Sequence, residues 1–127
     1  MESNEERLIN GIIQQAEVFL LDAGEFFPFG SSIDVNNRFI PIGAYLNDKD
    51  DRPESLPLIA LLEKGIKNEL ENKRYKIAAI AVDGLIKESG RSFDVIQIRF
   101  FEAERTYNIL FKYSVEGKRV KFIPVSA

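Results

Sequence analysis

Cysteine and histidine are both absent from these 127 residues. Without cysteine there is no disulfide framework, no thiol nucleophile and no thiolate metal site; without histidine the commonest metal ligand and the usual neutral-pH base are missing as well. Any catalysis would have to run on Asp, Glu, Lys, Tyr, Ser or Thr, and a serine hydrolase lacks its base. The eight glycines are scattered, so no glycine-rich phosphate loop exists. No apolar run reaches the roughly 20 residues of a membrane span. Met1-Glu2-Ser3-Asn4-Glu5-Glu6 is acidic where a secretory signal would be basic, and the expected location is a bacterial cytosol. The net charge of -3 disfavours a general nucleic-acid binder, whose affinity comes largely from neutralised phosphates.

What is present describes one domain spanning 1–127, long enough to bury a core without metals or disulfides. Charge is unevenly spread. The chain through Asn72 holds 14 acidic and 6 basic residues (net -8), and the remainder holds 6 acidic and 11 basic residues (net +5). That split fits an acidic helical layer against a basic sheet, or a basic sheet face that docks an acidic partner.

Ser3 and Glu6 form an S-x-x-E capping box. Leu8, Ile9, Ile12, Ile13, Ala16, Phe19, Leu20 and Ala23 follow at three- and four-residue spacing, which predicts a helix through about Leu21 with Gly24 as its stop. Gly11 reads as a weak spot in it. Phe27-Pro28-Phe29-Gly30 leads into a first strand, with Pro28 marking an edge or bulge. Asp34-Val35-Asn36-Asn37 turns the chain, and Arg38 to Tyr45 returns as the second strand of a hairpin.

Asn47 to Glu54 is a polar, acidic connection without the calcium-loop order of ligands. A second helix follows from Ser55, its stripe made by Leu58, Ile59, Leu61, Leu62, Ile66 and Leu70. Ile77 to Val82 is almost continuously apolar, as expected of a strand covered on both faces. Phe93 to Phe101, Tyr107 to Val115, and a last strand bearing Val120, Phe122 and Pro124 alternate with period two. Tyr107 to Val115 is expected at the centre of the sheet, with Ile109, Phe111 and Tyr113 shielded.

These elements predict an α+β fold in the order α-β-β-α-β-β-β-β: a single twisted, mainly antiparallel sheet of about six strands with both helices packed on one face. The opposite face would carry Gln97, Arg99, Asn108, Lys112 and Lys121, in a register that a one-residue slip would invert.

The run Phe27-Pro28-Phe29-Gly30, then Ile40-Pro41-Ile42-Gly43-Ala44-Tyr45, Pro53-Glu54-Ser55 and Ala78-Ala79-Ile80-Ala81-Val82-Asp83 resembles a group of small bacterial single-domain proteins. Similar proteins are associated with toxin and immunity neighbourhoods. The resemblance implies a protein partner and no catalytic residues.

Two functions of different class follow. The first is a non-enzymatic protein-binding domain, immunity-type in its most concrete form. It would use the acidic residues Asp48, Asp50, Asp51 and Glu54 or the basic sheet face around Arg99, Lys112 and Lys121, and would need no cofactor. The second is a small metal-dependent hydrolase or nuclease built on Asp83, Asp94 and Glu102, since carboxylates on neighbouring strands can hold a divalent ion. The nuclease pattern is incomplete: where an acid-x-Lys pair is needed the chain has Gln97-x-Arg99, and arginine does not deprotonate to act as a base. Homo-oligomerisation through a sheet edge is compatible with either function.

Overall fold

The computed structural model describes residues 2–43 and 55–125. Helix α1 (Asn4–Ala23) starts as the capping box predicts: the Glu6 amide donates to Ser3 Oγ at 3.1 Å. It stops at Gly24, which takes the left-handed conformation (φ 76°) and donates its amide to the Leu20 carbonyl at 2.8 Å. Helix α2 runs Ser55–Glu71. The strands are β1 (Phe29–Asp34), β2 (Phe39–Ile42), β3 (Tyr75–Glu88), β4 (Arg91–Phe101), β5 (Thr106–Glu116) and β6 (Arg119–Pro124). Among the described residues they form one antiparallel sheet in the order β2-β1-β3-β4-β5-β6, so the α+β class and the element order are as the sequence predicts.

Three placements differ from expectation. The helices do not share a face. Ile77, Ala79 and Ala81 of β3 join the cluster built on Leu8, Ile12, Ala16 and Leu20 of α1, whereas Ala78 and Ile80 pack with Leu62 and Ile66 of α2. Successive strand residues point to opposite sides, so α1 and α2 cover opposite faces. The doubly apolar run of β3 already required this: a strand with no polar side needs a cover on each.

The centre of the sheet is also not β5, which lies one strand in from the β6 edge; β3 and β4 hold the middle. Tyr113 is nevertheless buried and Ile109 and Phe111 half-buried against the α1 cluster, as their alternation predicts. Finally, Pro28 marks no edge. It precedes β1, which is an interior strand, and the edge prolines among the described residues are Pro41 of β2 and Pro124 of β6.

The register places Gln97 opposite Leu110, Arg99 opposite Asn108, and Ser114 opposite Lys121, all on the side away from α1, as predicted. Gly11 serves a contact rather than weakening the helix: an added Cβ would sit 2.4 Å from Cζ of Phe39, whose ring lies across α1 at that point.

The sheet curls until its last strand reaches its first helix. Glu17 of α1 accepts the Val120 amide of β6 at 2.8 Å, and Arg119 lies 3.4 Å from the same carboxylate. That bond caps an outward donor on one sheet edge, while Pro41 and a length of four residues blunt the other.

Candidate functional site

The chain enters β1 through an extended segment after Gly24, and this brings the Phe26 amide over the middle of β3. There the alternation that points Ile77, Ala79 and Ala81 at α1 delivers Asp83 to the same side. Asp83 is held from two directions. Its Oδ2 accepts the Phe26 N–H at 3.4 Å, and its Oδ1 accepts the Tyr113 hydroxyl of β5 at 2.6 Å. The carboxylate thus fastens the segment between α1 and β1 to the sheet while lining an open hollow of about 430 Å³ with Glu25, Phe27, Ser55, Leu85, Asp94 and Tyr113.

The electrostatics of this hollow are unfavourable to the molecule alone. Burial pushes the Asp83 carboxyl above the ordinary carboxylate range, and the charges of Asp94 and Glu25 add to the rise, against the opposing bonds from Tyr113 and Phe26. Burial, then the bond to Asp83, pushes the Tyr113 hydroxyl up, so it stays a neutral donor. Among the described residues none of the three carboxylates takes part in an ion pair.

Several exposed large apolar side chains lie on the segments that border this hollow. Leu56, beside Ser55 at the start of α2, is 79% exposed, and Leu85 on the rim is 60% exposed. Val18, Phe19 and Leu21 stand out from the last two turns of α1, Phe27 follows them, and Val115 is the last residue but one of β5. The other exposed large apolar side chains, Val35, Leu61 and Ile123, lie elsewhere.

The residues singled out from sequence fall into separate places. Asp48, Asp50, Asp51 and Glu54 lie outside the described residues. Arg99 sits under the flank of α2, its Nε donating to Gln97 Oε1 at 2.6 Å and its Nη1 3.7 Å from Glu63. Lys112 is 2.9 Å from Glu88 and 4.2 Å from the centre of the Phe93 ring. Lys121 shares their face and is exposed. Two of the three cations therefore already have neighbours of their own.

Asp83 and Asp94 share the hollow, but Glu102 does not join them. It lies beyond the far end of β4, eight residues from Asp94 and thus on the order of 25 Å away along the strand. There it pairs with Arg105 at 2.9 Å. Among the described residues no group of three or more carboxylates converges as metal ligands.

Tyr113 and Glu25 were not singled out as site residues from the sequence. The usable signal was Asp83 itself, a charged residue ending a run of six apolar ones: a carboxylate there needs a donor from a neighbouring strand. No family model, curated protein or solved structure matches the chain.

Proposed function

We propose that the chain is a non-enzymatic protein-binding domain of a bacterial cytosol, acting by covering a surface of a partner protein, with neutralisation of a toxin as the concrete form. The observation that carries this reading is the apolar end of the molecule, where Leu56, Leu85, Phe27 and the last turns of α1 surround a hollow of carboxylates with no ion pair among the described residues. Desolvated apolar side chains surrounding a few polar groups are what protein interfaces use. The guarded sheet edges favour recognition by side chains over strand addition. The resemblance of the Phe27-Pro28-Phe29-Gly30 segment to proteins of toxin and immunity neighbourhoods supports the toxin-neutralising form.

The test is growth rescue combined with capture. The product of the adjacent gene, expressed alone, should arrest growth, and co-expression of this chain should restore it, with the two proteins co-purifying. A harmless neighbour and no co-purifying protein would remove the proposal.

A further inference from the structure

Resting on the reading of the chain as a protein-binding domain, we infer that its apolar end docks a partner segment in which a lysine or arginine stands between apolar residues, the cation entering the hollow beside Asp83, Asp94 and Glu25. Charge complementarity identifies this occupant. Three carboxylates line one hollow without an ion pair among the described residues, and the charges of Asp94 and Glu25 add to the rise that burial gives Asp83. An ammonium or guanidinium group relieves that repulsion and finds acceptors there.

The size agrees with one long side chain. At about 430 Å³ the hollow is at the small end of ligand clefts. Its rim then meets the flanking residues of the same segment, because Leu56, Leu85 and Phe27 stand exposed around it. Burying such side chains supplies the affinity and the buried cation supplies the selectivity.

Other occupants fit less well. A divalent ion would need converging ligands, which the described residues do not provide, and both Asp83 oxygens already accept a bond. An anionic lipid surface would be repelled by the carboxylates.

The experiment is selection of a phage-displayed random dodecapeptide library on the full chain, followed by fluorescence anisotropy of the enriched peptides. The expected consensus places Lys or Arg between apolar residues. Replacing that cation with Gln should weaken binding at least ten-fold, and the Asp83→Asn/Asp94→Asn variant should bind the two peptides alike. Leu85→Ser should weaken both. Asp83→Asn keeps an acceptor for Tyr113, and Asp94→Asn alone should retain part of the effect, so a folding defect in one variant does not decide the outcome.

Enrichment of peptides without a cation, or of peptides indifferent to these substitutions, overturns the inference and leaves protein binding itself standing. Concentration-dependent self-association abolished by Leu85→Ser, or binding to phosphatidylserine vesicles through this end, likewise overturns it. Absence of any enriched peptide overturns it too, and growth rescue then judges the broader proposal separately.

Discussion

Asp34 and Asp83 show how differently one residue type is used within a single sheet. Asp34 ends β1 and organises the hairpin: its Oδ1 accepts the Asn36 and Arg38 amides, both at 2.9 Å, and its Oδ2 lies 2.8 Å from the Arg38 guanidinium. The Arg38 amide foremost, with the Arg38 side chain and the Asn36 amide, holds its carboxyl below the ordinary range against the opposing effect of burial. A carboxyl lowered by folding lends stability above its unfolded value of about 4 and loses it as pH falls through the folded value. Asp34→Asn should therefore destabilise the protein at pH 7 and flatten its loss of stability on acidification, measured by urea melts between pH 7 and pH 3. Asp83 has the opposite sign. Folding raises its carboxyl, so its penalty is full at neutral pH and disappears as pH falls through the folded value to below the unfolded one. Asp83→Asn loses the relief that acidification gives the unchanged protein, so its melting temperature should fall relative to that protein between pH 7 and pH 4 in parallel melts. The same offset at both pH values would mean that the hollow carries no penalty.

At the level of elements, the glycine of α1 gives the sharpest forecast. A Gly→Ala change inside a helix ordinarily gains about 1 kcal/mol. At Gly11 the new methyl would meet the Phe39 ring at 2.4 Å, and overpacking of this kind costs about 1–3 kcal/mol. Gly11→Ala should therefore lower stability, and in a Phe39→Leu background it should raise it; the two melts form a double-mutant cycle. Glu17 supplies a second forecast. Its bond to the Val120 amide closes the β6 edge, so Glu17→Ala should speed hydrogen exchange at that amide specifically.

The elements were also what the sequence showed best. The capping box at Ser3, the stop at Gly24, the turn at Asp34 and the alternation of β4 and β5 are local chemistry, written within a few residues of where each acts. The meeting of Gly11 with Phe39, or of Glu17 with Val120, depends on how far the sheet curls and has no local signature. The hollow was half legible for the same reason. Asp83 stood out inside an apolar run, whereas Tyr113 and Glu25 reach it only through strand order and the path of the chain after α1.

On the scale of the whole molecule, covering both faces of β3 divides the core in two. The larger cluster joins α1 to five strands, with Phe100, Ile96 and Ile98 fully buried; the smaller joins α2 to Ala78, Ile80 and Phe101. Local opening follows buried contact, so α2 should release before α1. Native-state hydrogen exchange in rising denaturant should show α2 amides exchanging at lower concentrations than those of α1, and simultaneous release of both helices would contradict the division.

The bond between Glu17 and Val120 has a further consequence during synthesis. It joins residues 103 positions apart, and Leu8, Ile12, Ala16 and Leu20 depend for their cover on strands that leave the ribosome much later. At about 5–20 residues per second, the first helix would wait roughly 5–20 s with its oily side uncovered. Contacts so distant along the chain also slow folding. Newly made copies should therefore lean on chaperones in proportion to how slowly they are translated.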